Sequence, residues 1–562
     1  MSAKVRKGSL AMIKDMVVTS KPVIEVTLTD DQKDVFMPQY TSLDEIKGEV
    51  SITASSDTSF DNIYVSFEGS TRTWVEKHIA TPYVNNRSEA HHIFVRLIQP
   101  LDRSAVPSPP VLEARKVYKF PFTFVVPDTL LPQSCTHSKH PDFPEDAHMS
   151  PPPSFGDLLA ATMGKAFMND MAPDMSKIAY SVRARITSGR GERNNLPKVI
   201  AEGSKKLRVI PATEEQPPLD VLPGGDDRYD YKIRREKTIK KGTLKGKLGR
   251  VVAQSAQPQS LKLPFARGPN ADCDPTTMAT VNVRFDPINE SLSPPDLNTL
   301  QAKFTVATFF ASEWVDVIPT KVSDFHGSDY RGAFTHTLNL SSLCLSNIEW
   351  EKHDSSTSNL LNRGDSGIPT TSEAYSGMPT ASKAYKDGCF YTARIVVPVS
   401  LPKGNKILVP SFHSCLVSRI YALDLYLSFN TPNPTFFKDP KIHLKLPIQV
   451  SSEGNPNAKP VISAQEQAAI AARQTDAYFD PASIASSSPQ HTGNAQLDTP
   501  PNRATTGAMG DSPEHGVRLG GAHQRFRSLQ FEGEEGMLPG YADNGIRNSE
   551  SVTNDVRRDR SG

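Results

Sequence analysis

The sequence feature that most constrains the fold is a strict alternation of apolar residues within short segments. The clearest segment runs from residue 419 to residue 429, where every second side chain is large and apolar: Tyr421, Leu423, Leu425, Leu427 and Phe429. A period of two places these side chains on one face of a β-strand, whereas a helix needs a period of 3.6. The pattern therefore predicts strands in sheets that have one buried face and one wet face.

Similar segments occur on both sides of a Pro- and Gly-containing stretch near residues 211–230. Before it, the aromatic residues from Tyr118 to Phe124 alternate with polar ones, and Pro121 removes one donor from the ladder, which predicts an edge or bulged strand. After it, residues 443–450 alternate in the same way. Many short strands with almost no helical crossovers are typical of antiparallel β-sandwiches, and a length of 562 residues requires two of them.

We therefore predict an all-β fold of two consecutive antiparallel β-sandwiches with a short helical insertion and a disordered C-terminal tail. Apolar spacing predicts the short helix at Leu158–Met171, and Ser463 with Glu466 forms a candidate capping box. Apolar residues are too sparse after 477 to offset the entropy of ordering. The predicted parts are an extension at 1–22, a first sandwich at 23–215 with an insertion at about 135–174, a linker at 216–230, a second sandwich at 231–450 with a flexible loop at about 355–383, a short helix at 451–477, and a regulatory tail at 478–562.

Composition narrows the functional classes. Lys and Arg total 63 against 62 Asp and Glu, so no overall charge draws the chain to nucleic acid. The five cysteines form no CxxC pair, which favours neither a disulfide framework nor a zinc finger. Lys14 and Asp15 interrupt the apolar stretch at 10–18, and no window is apolar enough to span a membrane. Phosphate-loop, HExxH and GxSxG motifs are missing, so we expect a soluble, cytoplasmic, non-enzymatic protein without a cofactor.

Several motifs follow one another in a set order along the two predicted sandwiches. They are Tyr40-x3-Asp44-Glu-Ile46-x-Gly48, Phe120-Pro-Phe-Thr-Phe-Val-Val-Pro127-x3-Leu131-Pro132, and Lys406-Ile-Leu-Val-Pro-Ser-Phe412-His413-Ser-Cys415-x3-Arg419-x-Tyr421-x-Leu423. The insertion adds Pro152-Pro153-Ser154-Phe155-Gly156-Asp157 and Pro173-Asp174-Met175-Ser176-Lys177-Ile178-Ala179-Tyr180. This conjunction, over about residues 23–450, resembles the arrestin superfamily and is similar to fungal arrestin-like proteins.

The resemblance implies two arrestin-type sandwiches and an adaptor similar to the arrestin-related trafficking adaptors. Such an adaptor links plasma-membrane cargo to a WW-domain HECT ubiquitin ligase for ubiquitination and endocytosis, and is recruited transiently to the plasma membrane or endosomes. The implied partners are the ligase and the cytosolic tail of a membrane transporter or receptor. The alternative is a non-catalytic arrestin-fold scaffold in signalling or endosomal sorting that has no ligase partner.

The predicted tail contains a candidate ligase-binding motif, Leu538-Pro539-Gly540-Tyr541. A WW domain binds an extended proline in an aromatic groove together with a tyrosine two residues later, so Leu538, Pro539 and Tyr541 have the required spacing. The same tail contains four candidate phosphorylation sites, where a phosphate would add negative charge. Three precede proline and the last follows Arg525-Phe-Arg527: Ser488, Thr499, Ser512 and Ser528.

A dense cationic run could bind an acidic cargo tail, a phosphorylated segment or anionic lipid headgroups. Glu236 is the only acid within it. The alternative is a solvated edge strand whose charges block aggregation. Nucleic acid is disfavoured because no aromatic residues are interleaved and no nucleic-acid-binding fold is recognised. The cations are Lys232, Arg234, Arg235, Lys237, Lys240, Lys241, Lys245, Lys247 and Arg250.

One cluster of metal-ligating residue types lies in the insertion, as Cys135-x-His137-x2-His140 with His148 further on. The spacing matches no standard zinc pattern, so we expect a polar loop and no metal site. His413 and Cys415 form a conceivable Cys/His catalytic pair, but a core or edge position in the second sandwich explains them more simply.

Overall fold

The computed structural model describes residues 21–30, 37–76, 87–141, 147–157, 162–163, 166–190, 197–225, 227–240, 246–271, 273–354, 377–383, 385–386, 388–402, 404–430 and 440–458. Two short 3-10 helices occur within these ranges, at Pro132–Ser134 and Val322–Phe325. All other regular structure in them is β-strand, which confirms the predicted all-β class.

The first sandwich is built from two main sheets. Its strands are β1 (Val23–Leu28), β2 (Gln39–Tyr40), β3 (Glu45–Thr53), β4 (Thr58–Ser59), β5 (Asn62–Glu76), β6 (Arg87–Gln99), β7 (Val111–Leu112), β8 (Val117–Val125), β9 (Thr162–Met163), β10 (Ala166–Phe167), β11 (Ser176–Arg190) and β12 (Pro197–Val209). One sheet has the order β1-β3-β8 and the other β2-β12-β11-β5-β6, while β4-β7 and β9-β10 form separate pairs. As the sequence predicts, β8 is an edge strand and alternates exposed and buried residues.

The second sandwich repeats this two-sheet plan. Its strands are β13 (Arg234–Lys240), β14 (Lys247–Ser255), β15 (Leu261–Leu263), β16 (Thr276–Pro287), β17 (Asp296–Ala311), β18 (Arg331–Cys344), β19 (Glu351–His353), β20 (Phe390–Ser400), β21 (Phe412–His413), β22 (Val417–Asn430), β23 (Lys441–Ile448) and β24 (Val450–Ser452). One sheet has the order β13-β14-β16-β20-β19 and the other β18-β17-β22-β21, with β23 also paired to β22. A short parallel pair joins β15 to β24.

Strand β22 departs from the expected half-wet pattern. Its apolar face is buried, but Asp424 on the opposite face is buried as well. The Asp424 carboxylate accepts hydrogen bonds from Thr305 Oγ1 and His443 Nε2, each at 2.7 Å. A polar side chain can therefore occupy the covered face, because residues of the neighbouring strands donate hydrogen bonds to it.

The predicted helix at Leu158–Met171 is wrong for the residues that the structure describes there. Thr162–Met163 and Ala166–Phe167 form the antiparallel pair β9-β10 instead. Apolar runs as short as these fit a strand as well as a helix, so periodicity alone does not distinguish the two. The predicted helix at 451–477 is wrong at its start, because residues 451–452 belong to a strand and residues 453–458 are not helical; residues from 459 onwards lie outside the described part of the chain.

The two sandwiches pack directly against each other. Phe155 of the insertion meets Phe412 of β21 with ring centroids 5.8 Å apart, and Cys415 and Val417 join the first sandwich's apolar core. Two backbone hydrogen bonds also cross the boundary. The Asn169 amide donates to Asn405 O, and the Ile407 amide donates to Asn169 O. The insertion is therefore a connector between the sandwiches, and the described residues of both lie in one compact unit.

In the described part of the chain, no helix has the length and apolar character that crossing a bilayer requires.

Candidate functional site

Four cysteine and histidine side chains, which are residue types that can bind a metal, converge where the insertion meets the second sandwich. Cys135, His137 and His148 come from the insertion, and Cys415 comes from the turn between β21 and β22. Their sulfur and nitrogen atoms all lie within 4.8 Å of one another. We call these four residues the Cys/His cluster.

The Cys/His cluster differs from the set that the sequence singles out. His140 does not belong to it, although its backbone amide binds Asp316 O at 3.0 Å and thereby ties the same loop to the second sandwich. Cys415 takes the fourth position instead. Within the predicted polar loop, Cys135, His137 and His148 therefore have defined neighbours, including Trp314 of the second sandwich beside His137. No spacing rule could have found Cys415, because it reaches the cluster only through the packing of the two sandwiches.

Local hydrogen bonds fix each side of the cluster. Ser134 Oγ, next to Cys135, donates to Phe94 O at 2.6 Å and holds the loop on β6. On the other side, Ser414 Oγ closes the turn by binding Val417 O at 2.8 Å, and the Val315 amide donates to Cys415 O at 3.0 Å. Cys415 therefore lies on a rigid tight turn rather than on a long loop.

The donor atoms are close enough to act on one small ligand. Cys135 Sγ lies 3.3 Å from His137 Nε2 and 3.6 Å from His148 Nδ1. His137 Nδ1 lies 3.0 Å from Ser138 O, and since a carbonyl can only accept, this nitrogen carries the proton. His137 Nε2 then has its lone pair directed at Cys135 Sγ and accepts a hydrogen bond from that thiol.

Burial shifts the pKa values of two members of the cluster, His148 and Cys415. It lowers the pKa of His148 to about 3, with His137 and Lys139 adding smaller effects in the same direction. Burial also raises the pKa of the Cys415 thiol, and the neighbouring Cys135 thiol adds to this shift. His148 is therefore a neutral imidazole at neutral pH and can offer a lone pair.

The predicted cationic run forms an edge hairpin of β13 and β14, which we call the cationic hairpin. Its described cations are Lys232, Arg234, Arg235, Lys237, Lys240, Lys247 and Arg250, whereas Lys241 and Lys245 lie outside the described residues. Successive strand residues point to opposite faces, so the cations do not form one continuous patch. Lys237 Nζ is turned to the opposite sheet, where it donates to Lys441 O at 2.9 Å.

Part of the hairpin's charge is neutralised within the hairpin itself. Glu236 forms ion pairs with Arg234 at 2.8 Å and with Arg250 at 3.1 Å, and all three side chains are partly buried. Arg234 also donates to Thr380 O at 3.3 Å, which ties the described end of the predicted 355–383 loop to the hairpin. The exposed cations of the described hairpin residues are Lys232, Arg235, Lys237, Lys240 and Lys247, and of these Lys237 is already bound to Lys441 O.

Two buried acids that were not among the predicted site residues each bind several cations or amides. On the first sandwich, Glu68 contacts Arg185 at 2.9 Å, Arg96 at 3.1 Å and Arg183 at 3.4 Å. Burial alone would raise the pKa of Glu68, but these arginines outweigh it and hold the pKa below its ordinary value. Alternation predicts the strands that carry these residues, but not that three arginines meet over one acid.

The second acid, Asp44, lies between the two sandwiches. Its carboxylate accepts from Arg267 Nη2 of the second sandwich at 2.7 Å and from Asn455 Nδ2, beyond β24, at 2.7 Å. Arg267 also lies 3.6 Å from Asp30. These charge-assisted bonds tie the first sandwich to the second at a place separate from the Cys/His cluster.

The tail sites lie outside the described residues: Leu538, Pro539, Tyr541, Ser488, Thr499, Ser512 and Ser528. His413, considered with Cys415 as a catalytic pair, is half-buried, and burial of its imidazole lowers its pKa to about 4. No family model matches the sequence, and no curated protein matches it either.

Proposed function

We propose that this chain is a non-catalytic, arrestin-like adaptor that links membrane cargo to a WW-domain HECT ubiquitin ligase for ubiquitination and endocytosis. The observation that carries the proposal is the pair of β-sandwiches joined by both apolar and ionic contacts. Such a body offers broad sheet surfaces to a partner, and the tail that follows it carries the Leu538–Tyr541 motif. Any catalysis would then belong to the ligase.

The cargo would be the cytosolic tail of a transporter or receptor, and the protein would reach the plasma membrane or endosomes only transiently. The exposed lysines and Arg235 of the cationic hairpin favour an acidic or phosphorylated cargo segment, or anionic lipid headgroups. Each such cation near an anionic membrane contributes about 1 kcal/mol to binding. The alternative is an arrestin-fold scaffold in signalling or endosomal sorting that binds cargo without a ligase.

Calorimetry with a purified WW-domain array from a HECT ubiquitin ligase tests the ligase step on the full-length protein. We expect Pro539→Ala/Tyr541→Ala to weaken binding at least about tenfold, which corresponds to 1.4 kcal/mol. Tyr478→Ala provides the matched control, because it removes another tail tyrosine that follows no proline at the required spacing. An unchanged affinity in the double variant, or no binding by the wild type, would leave the scaffold alternative.

A further inference from the structure

We propose that the Cys/His cluster binds one Zn²⁺ ion, which fastens the insertion of the first sandwich to the β21–β22 turn of the second. The four ligands would be Cys135, His137, His148 and Cys415, whose donor atoms already converge. The proposal is independent of the adaptor function, since it concerns how the two sandwiches are held together.

The spacing of the donor atoms fits a tetrahedral zinc centre. Zinc lies about 2.3 Å from a thiolate sulfur and about 2.0–2.1 Å from an imidazole nitrogen, so tetrahedral angles place sulfur and nitrogen about 3.6 Å apart. Cys135 Sγ lies 3.6 Å from His148 Nδ1 and 3.3 Å from His137 Nε2. With all four donor atoms inside 4.8 Å, small side-chain rotations suffice to close the site around an ion.

The chemistry of the donors selects the metal. Two sulfur and two imidazole ligands suit zinc, whereas magnesium and calcium prefer oxygen ligands. Two thiolates balance the double charge of Zn²⁺, so the completed centre has no net charge and can lie in a partly buried place. Binding would release the two thiol protons to solvent. Because the protein fills all four positions, the centre has the closed form of a structural zinc site.

The surroundings orient the ligands as metal sites require. The His137 Nδ1–H group points to Ser138 O at 3.0 Å, which fixes the tautomer that leaves Nε2 free for the metal. The His137 ring also stacks on Trp314 of the second sandwich, with centroids 5.3 Å apart and planes only 5° apart. Cys415 is held by its own tight turn. The ligand from each sandwich is thus positioned by contacts outside the cluster.

Two other states of the same side chains must be distinguished from a zinc centre. Cys135 and Cys415 are free thiols in the structure, but their proximity would also allow an oxidant to join them in a disulfide. Alternatively, the four side chains could remain a metal-free, hydrogen-bonded cluster. Zinc content, thiol content and ligand-field spectra separate these three states.

The first experiment measures zinc in the full-length protein, purified without chelator and dialysed, by inductively coupled plasma mass spectrometry. We expect one zinc ion per chain in the wild type and its loss in Cys135→Ser/Cys415→Ser. Cys389→Ser is the matched control, because Cys389 is also a buried free cysteine but lies outside the cluster. It should keep its zinc. Wild-type protein that binds no zinc after incubation with ZnCl₂ under reducing conditions would overturn the proposal, whether its thiols are free or joined in a disulfide.

A second variant keeps the test decisive if loss of the buried Cys415 prevents folding. His137 is only partly buried, so His137→Ala should leave the fold intact while it removes one ligand. We expect the wild type substituted with Co²⁺ to show the visible bands of tetrahedral cobalt and a sulfur-to-metal charge-transfer band. In His137→Ala the tetrahedral bands should weaken or vanish, and zinc should be lost at a lower chelator concentration. Identical spectra and chelator sensitivity in the variant and the wild type would contradict the assignment.

Hydrogen–deuterium exchange tests the link between the sandwiches. After zinc removal from the wild type, we expect faster exchange in peptides that cover 130–141 and 411–417, where the Val417 amide binds Ser414 Oγ. Peptides from the central strands β3 and β16 should be unchanged. Faster exchange throughout both sandwiches would show general unfolding and would contradict a local fastening role.

Discussion

The Cys/His cluster lies between the two sandwiches, whereas the cationic hairpin lies at an exposed edge of the second sandwich. In the cluster, two segments far apart in the chain turn their donor atoms toward one point. In the hairpin, neighbouring residues turn their charges away from one another, because a strand sends successive side chains to opposite faces. In this molecule, residues that are close in sequence can therefore point apart, and residues that are far apart in sequence can meet.

The two regions should also differ in what they contribute. His148 and Cys415 are buried, so changes there act on stability and on the contact between the sandwiches. Five of the described hairpin cations are exposed, so changes there act on binding to anions and leave stability almost unchanged. The following predictions test this division, starting with the largest effect.

Removal of zinc should produce the largest loss of stability. A ligand present at a thousandfold excess over its dissociation constant stabilises the folded state by about 4 kcal/mol. We therefore expect a zinc chelator to lower the free energy of unfolding by about that amount, measured by urea denaturation under reducing conditions. The same chelator should have little effect on Cys135→Ser/Cys415→Ser. A chelator effect of equal size in that variant would contradict a zinc site at the Cys/His cluster, because the stabilising ion would then lie elsewhere.

Glu68→Gln tests whether burial makes a charged group structurally important within a single sandwich. Removing this carboxylate leaves Arg96, Arg183 and Arg185 close together with less compensation, and breaking a buried ion pair costs about 3 kcal/mol. We expect a loss of that order in urea denaturation at neutral pH. Glu202→Gln is the control, since Glu202 is more exposed although it also pairs with Arg183.

The pH dependence of the Glu68 contribution has a definite sign. The folded-state pKa of Glu68 lies below its ordinary value of 4.5, so the unfolded state takes up the proton first as the pH falls. The stabilisation is then fully present above pH 4.5 and is lost as the pH falls through the folded-state pKa. Consequently, the stability difference between wild type and Glu68→Gln should shrink below pH 4.5. A constant difference across that range would contradict the ionic origin of the effect.

Glu236→Gln should lower stability less than Glu68→Gln does, and it should strengthen binding to anionic vesicles. Arg234 and Arg250 lose their ionised partner, but the pairs are partly solvated, so we expect a loss of about 1 kcal/mol. The hairpin gains positive charge, and co-sedimentation with phosphatidylserine vesicles should therefore increase. Weaker vesicle binding in this variant would show that the hairpin is not the anion-binding surface.

Neutralising the exposed cations should change stability least. The test variant is Lys232→Gln/Arg235→Gln/Lys237→Gln/Lys240→Gln/Lys247→Gln. We expect each of these surface substitutions to change the free energy of unfolding by no more than about 0.5 kcal/mol. Vesicle binding should fall strongly and lose most of its dependence on salt. Retained, salt-dependent binding would assign the anion-binding surface to another part of the chain.

The sequence predicts the architecture well because strand periodicity is a local property. The alternation from Tyr118 to Phe124 predicts the buried face of β8, and Pro121 within it predicts the edge position. Local periodicity fails where tertiary packing decides, as in β22, whose polar face is covered. It also fails at Leu158–Met171, where short apolar runs fit a helix and short strands equally well.

The candidate sites show the same division between local and tertiary information. Glu236 pairs with Arg234 and Arg250, which are close to it on the same hairpin. That these pairs neutralise part of the positive charge of the cationic hairpin was not predicted. Cys415 could not be assigned to the cluster, because its place depends on how one sandwich packs on the other. Asp44 with Arg267 and Asn455 likewise depends on packing between distant segments.

Zinc K-edge X-ray absorption of the purified full-length protein identifies the ligand atoms of a bound zinc ion. A centre formed by the Cys/His cluster predicts two sulfur ligands at about 2.3 Å and two nitrogen ligands at about 2.0–2.1 Å. The same measurement on Cys389→Ser should give an identical spectrum. A first shell of oxygen and nitrogen without sulfur, or a wild-type protein that retains no zinc, would contradict a metal centre between the two sandwiches.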